Sequence, residues 1–291
     1  MTPSRRGFLS CAAAAALAPR RAFAGVDHPI ASRLSRELEV ATGCVERSAI
    51  RGTLSRLRRL ALPSSGRLVV VNVAGRFLAA YRDGEPELES RVVVGREGWH
   101  TPDLATSVEA VFLNPTWTVP ETILRDEGWR REIASDPDWA DRNGFDVVVG
   151  GRRVSAGRVG SSDLSRATLV QRPGADNALG RVKISMRNAG SIYLHSTNDV
   201  EGYDDPDRVD SHGCVRVEQA VDLAAWIVGT SPDALTAEIE TEARSVKRGF
   251  GAVAVVIGYF TAWPDASDRI VFYPDIYNRD GAGCGREDAA P

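Results

Sequence analysis

IYLHSTNDVEGYDDPDRVDSHGCVRV, residues 192–217, holds two of the chain's four histidines and one of its four cysteines. His195 ends a short apolar alternation that reads as a strand, and Val215-Arg216-Val217 begins another. Between them lies Ser211-His212-Gly213-Cys214. A thiol two residues from an imidazole, with a second imidazole upstream on a strand, is the raw material of a Cys/His nucleophilic enzyme.

Outward from this stretch the pattern is mostly strand. Residues 182–186 precede it, 191–195 lead into it, and 252–260 and 269–273 follow. Two helices lie between, one built on Ala220, Val221, Ala224, Ala225, Ile227 and Val228 and stopped by Gly229, the other opening at Ser231-Pro232. Upstream, residues 68–73, 77–81, 91–94 and 108–113 read as an antiparallel meander with turns at Gly75-Arg76 and Asp83-Gly84. Residues 114–180 differ, with three tryptophans, Pro and Gly, and short helical pieces. They read as an insertion carried on the sheet as a lid, the tryptophans being core rather than a ligand platform. Residues 27–60 carry apolar positions at helix spacing, broken at Gly43. Leu62-Pro63-Ser64-Ser65-Gly66 is a turn-rich boundary. The expected organisation is residues 1–24 as a signal, 25–63 as a helical segment, 64–275 as the catalytic domain and 276–291 as a tail, frayed from Asp280. The fold class is mainly β with α additions, an α+β arrangement.

The 291 residues are 43% hydrophobic and 26% charged, with formal charge −3, which gives no reason to expect a nucleic-acid partner. Ser4-Arg5-Arg6-Gly7-Phe8-Leu9 has twin-arginine form, an Ala-rich run follows, and Ala22-Phe23-Ala24 offers a cleavage site. Export by the twin-arginine route to the periplasm is the expectation. Without Cys11 the cysteines are Cys44, Cys214 and Cys284, so in an oxidising compartment two can pair while the one flanked by histidines stays free. A Cys44–Cys284 bridge would tie the N-terminal helices to the tail.

A thiol becomes a useful nucleophile when an imidazole takes its proton. His212 shares a strand face with Cys214 but lies beside it, whereas His195 approaches from another strand. His195 is therefore the expected base, His212 a support, and Ser196 the group that orients His195 through its hydroxyl or carbonyl. The amides of Gly213 and Cys214 are expected oxyanion donors, supported by Ser211 and His212. Arg216 would grip a substrate carboxylate, and Tyr193 is the other substrate-contact candidate. Two other readings stand beside this one: zinc held by His195, His212 and Cys214, or a buried cysteine that is only a small hydrophobe. The acidic loop 199–210 lacks EF-hand spacing and reads as a solvated lid edge. His28 and His100 read as structural.

His195, fifteen residues, then Ser211-His212-Gly213-Cys214-Val215-Arg216 resembles the signature of the L,D-transpeptidase (YkuD-type) family. Asn114-Pro115-x-Trp117-x-Val119-Pro120, the run 176–183 and Tyr259-Phe260-Thr261-Ala262-Trp263 look like the large periplasmic members of Gram-negative bacteria. The resemblance implies a mixed β-sheet catalytic domain with a capping subdomain at 114–180. Cys214 would attack the diaminopimelate carbonyl of a peptidoglycan tetrapeptide stem and release D-Ala. The acyl group would pass to the amine of a second stem as a 3–3 cross-link, to water, or to an outer-membrane lipoprotein or other protein. Carbapenem-type inhibitors are implied ligands; no cofactor or metal is. Ser196-Thr197 after the first histidine departs from the family's more frequent Gly or Asp before Thr.

Overall fold

A computed structural model describes residues 28–281 except 156, 158, 249 and 250. The expectations for residues 1–24, Cys11, Cys284 and the tail beyond 281 lie outside the described residues. Cys44 is disulfide-bonded and Cys214 is free.

Two helices, α1 (Pro29–Val40) and α2 (Cys44–Leu60), precede four strands: β1 (Arg67–Asn72), β2 (Phe77–Arg82), β3 (Glu85–Gly95) and β4 (Leu104–Leu113). The inserted segment runs β5 (Trp117–Thr118), α3 (Glu121–Asp126), α4 (Trp129–Ser135), α5 (Trp139–Arg142), β6 (Phe145–Val149), β7 (Arg152–Val154), α6 (Ser161–Leu164) and β8 (Thr168–Gln171). The chain then returns through β9 (Val182–Met186), β10 (Tyr193–His195), β11 (Val209–Ser211) and β12 (Val215–Val217). It closes with α7 (Ala220–Val228), α8 (Pro232–Glu240), β13 (Ser245–Lys247), β14 (Val253–Gly258), β15 (Ala262–Pro264) and β16 (Ile270–Phe272).

The main sheet follows the order β11-β3-β12-β10-β9-β4-β14-β1-β2, and β2 also pairs with β3, so the path returns on itself. Two long strands make this possible by changing partners. The first half of β3 pairs with β2, and its end pairs with β12 and β11. The start of β4 pairs with β14, and after an irregularity between Val108 and Ala110 the rest pairs with β9. Such a bulge bends a strand and re-aims its side chains. The sheet is mixed rather than a simple meander: β1 and β14, β10 and β12, and β11 and β3 are parallel.

Val69 to Val71 form an unbroken apolar run because both sheet faces are covered. Val69 and Val71 face an inner cluster with Val94, Ile184, Leu194, Val215 and Val217, into which α7 inserts Leu223 and Ile227. Leu68 and Val70 face outward and meet Ile50, Leu54 and Leu57 of α2. At about 1.5–3 kcal/mol per buried aliphatic side chain, that stripe holds the N-terminal helices onto the sheet. Asp280, expected to begin a frayed tail, is instead anchored: its carboxylate lies 2.7 Å from Arg56 NH1 with both side chains buried, and its carbonyl accepts from Ser48 at 2.6 Å. The partner on α2 is remote in sequence, so no local pattern announces it.

The segment between β4 and β9 forms its own sheet, β5-β8-β6-β7. Its core joins Phe145, Val147 and Leu169 to Trp117, with Trp129 and Trp139 packed against it. Trp139 stacks on Phe145 at 5.7 Å, and Trp129 stands edge-on to Trp117 at 6.0 Å. These rings are core, as the sequence predicts. Trp117 also reaches the cleft below.

Candidate active site

The inserted subdomain and the strands β9, β10 and β12 enclose a cleft of about 610 Å³. Cys214, His195, Tyr193, His212, Ser211 and Arg216 all line it, so the residues singled out from sequence converge. The parallel register, Leu194 opposite Val215 and His195 opposite Arg216, brings them together. Cys214 lies one residue before β12, on the turn that leads into it.

That turn is braced from several sides. Gly213 has φ +98°, a region side-chain-bearing residues avoid. Its glycine therefore serves the turn itself. The Gly213 amide donates to Ser211 Oγ at 3.1 Å, and Ser211 Oγ donates to the Cys214 carbonyl at 2.5 Å. The Gly213 amide, expected as an oxyanion donor, is thus already engaged by Ser211. Ser211 is the brace of the turn. Thr101, buried and not foreseen from sequence, accepts from the Gly95 amide at 2.9 Å and donates to the Gly213 carbonyl at 3.0 Å.

His195 is only 6% exposed. Its Nδ1 lies 2.5 Å from the Ser196 carbonyl oxygen. A carbonyl can only accept, so Nδ1 carries the hydrogen and Nε2 is left with the basic lone pair. Of the two routes open to Ser196, the carbonyl is the one used. The hydroxyl accepts from the Val182 amide at 2.9 Å and donates to the Leu179 carbonyl at 3.1 Å.

Burial lowers the His195 pKa to about 3; Arg216 and Lys183 add to this, and the Ser196 carbonyl opposes it. Burial likewise pushes the Cys214 thiol above its ordinary value, with Tyr193 and Lys183 pulling the other way. Both shifts disfavour charge, so the resting pair is a thiol and a neutral imidazole. Proton transfer then accompanies attack. Tyr193 lies beside the sulfur, and its hydroxyl is held protonated by burial and by Cys214.

His212 directs its Nε2 toward the inserted subdomain. Its Nε2 lies 2.9 Å from Arg96, 3.1 Å from Glu127 and 3.5 Å from Asp126, while its ring stands edge-on to Trp99 at 4.8 Å. Arg96 also pairs with Asp126 at 2.7 Å. His212 therefore connects the Cys214 turn to the end of α3, a structural support for the inserted subdomain. Arg216 NH1 is held between Asp199 and Asp210, each at 3.2 Å. The acidic loop thus neutralises the arginine that was expected to grip a carboxylate. His28 caps α1, accepting from Ile30 at 3.3 Å, and His100 stacks on Tyr277 at 3.9 Å.

The zinc alternative finds no support in this geometry. The one grouping of metal-capable side chains among the described residues is Asp126, Glu127 and His212, without Cys214 or His195. Sequence reasoning missed Lys183, which faces His195 across β9 and β10 and lines the cleft. Its position on the same strand pair as His195 was the available signal.

The site thus consists of a cysteine and a carbonyl-oriented histidine on a closed mixed sheet, beneath an inserted cap. Residues 66–246 match the YkuD L,D-transpeptidase catalytic domain, and the chain belongs to that family. A Haemophilus influenzae protein described as an L,D-transpeptidase is 30% identical over 221 residues, which cover 73% of this chain and 44% of that protein. The chain thus spans under half the length of that curated relative. Among solved structures, an L,D-transpeptidase from Mycobacterium smegmatis aligns over 67% of this chain and 59% of its own, at 14% identity and TM-score 0.31. L,D-transpeptidase 3 from Mycobacterium tuberculosis aligns over 66% and 61%, at 11% identity and TM-score 0.33.

Proposed function

We propose that this chain is a peptidoglycan L,D-transpeptidase that forms a thioester on Cys214 and transfers it to an amine. The observation that carries the reading is the His195 Nδ1–Ser196 carbonyl bond, which leaves Nε2 as a base in the cleft that Cys214 lines. The Cys214 thiol would pass its proton to Nε2 as sulfur attacks the carbonyl of the third stem residue. The Cys214 amide would receive the developing oxyanion. Nε2–H would then protonate the departing nitrogen, releasing the terminal amino acid and leaving the thioester. A second stem's side-chain amine, losing a proton to Nε2, would displace sulfur and form the 3–3 cross-link. Nε2 would return that proton to Sγ. The twin-arginine sequence supports the periplasm as the place of action.

The test is incubation with a carbapenem, whose strained lactam carbonyl acylates a nucleophile of this kind. Intact-protein mass should rise by one inhibitor, and Cys214→Ala should abolish the gain. Purified stem peptides should yield 3–3 dimers. An adduct that persists in Cys214→Ala, or a wild type that makes no dimers, sinks the proposal.

A further inference from the structure

Only two of the chain's 36 basic residues are lysines. Lys247 is tied to Glu238 at 2.7 Å on the surface. Lys183 instead lines the catalytic cleft, directly across from His195, with Nζ 4.2 Å over the Tyr193 ring. Among the described residues no carboxylate pairs with it, and the charge that acts on it is that of Cys214. Arg216 presents the contrast: it reaches the same cleft already bound to two carboxylates. The buried Trp117 indole also lines the cleft and faces Tyr193, the ring beneath the lysine.

From this we infer that Lys183 is the anion-binding, specificity-determining residue of the cleft, receiving the free α-carboxylate of the residue that leaves. This rests on the acyl-transfer reading above and names what the donor must present. A donor that gives up its last residue carries a carboxylate close beyond the scissile nitrogen, whereas a longer peptide has a neutral amide there. A half-buried ammonium that no carboxylate meets among the described residues is poorly solvated, and an arriving carboxylate restores what burial removed. The neutral amide does not, so the site discriminates by leaving a buried charge unpaired. A compact titratable ammonium suits a small site beside the sulfur where a guanidinium fork does not.

The experiment compares alkylation of Cys214 by iodoacetate and by iodoacetamide, probes that differ in one carboxylate. It needs no transpeptidase activity, so it stands or falls apart from the carbapenem test. The ratio of the two rates should fall roughly five- to tenfold in Lys183→Gln. It should be largely kept in Lys183→Arg and little changed in Arg216→Gln. An unchanged ratio in Lys183→Gln overturns the inference. So does an equal slowing of both probes, because Lys183 would then act on the thiolate rather than on the anion. Where stem donors turn over, Lys183→Gln should raise KM for a carboxylate-ended donor and erase its advantage over the carboxamide-ended one. Loss of kcat alone would count against it.

Discussion

His195 Nδ1 and the Ser196 carbonyl oxygen are 2.5 Å apart, and this contact between neighbouring residues decides which imidazole nitrogen can act as a base. It depends on backbone, so it survives changes of the Ser196 side chain. The hydroxyl has another task, joining the Leu179 carbonyl to the Val182 amide. Ser196→Ala should therefore keep acylation within a few-fold of wild type while costing about 1–3 kcal/mol of stability from the orphaned amide. Urea denaturation and carbapenem acylation rates separate the two effects.

The neutral resting pair has a kinetic signature. Iodoacetamide alkylation of Cys214 should climb with pH through neutrality and level off above the ordinary thiol value of about 8.5. A plateau already reached at pH 6 would mean a preformed thiolate–imidazolium pair and contradict the electrostatics described.

His195 also links stability to pH. Its pKa is about 3 when folded and near 6.5 when unfolded, so between those values the unfolded chain binds the extra proton. The His195 contribution is complete above pH 6.5 and declines as pH falls toward 3, a change of several kcal/mol in all. Denaturant midpoints measured at pH 7 and pH 4.5 should differ less for His195→Asn than for wild type.

Thr101 Oγ1 bridges two buried backbone groups, the Gly95 amide and the Gly213 carbonyl. Thr101→Val keeps the shape and removes both bonds. It should cost about 2–4 kcal/mol, one or two unsatisfied groups, and slow acylation by loosening the nucleophile turn. Calorimetry and carbapenem acylation test this together.

His212→Gln should loosen the inserted subdomain without disabling the thiol. Its contacts with Glu127, Asp126 and Arg96 tie the Cys214 turn to the end of α3. Limited proteolysis within 114–180 should accelerate about fivefold, as expected for roughly 1 kcal/mol. Iodoacetamide reactivity of Cys214 should hold. A large loss of that reactivity would return His212 to the proton-transfer role.

Much of the site is legible in sequence because its chemistry is local. Cys214, Gly213, Ser211 and His212 are consecutive, and Ser196 adjoins His195. The strand pattern separates the two imidazoles by geometry, and in the fold His212 Nε2 lies against Asp126 and Glu127 at the end of α3. The inserted segment was harder. Trp117-Thr118 and Thr168–Gln171 are too short for periodicity to reveal, and they become strands only by pairing with one another and with Phe145–Val149. β11 and β13 escape notice for the same reason.

What the sequence determined by itself is the reactive set, the strand that carries His195, the turn that carries Cys214, and a β-rich α+β class. These follow from side-chain chemistry and nearest-neighbour backbone preference. What only the tertiary structure decided is which charges are free. Arg216 and Lys183 look equally available as a string of letters. Among the described residues folding brings Asp199 and Asp210 to the arginine and no carboxylate to the lysine, because ion pairing depends on through-space distances between segments that the chain order does not encode.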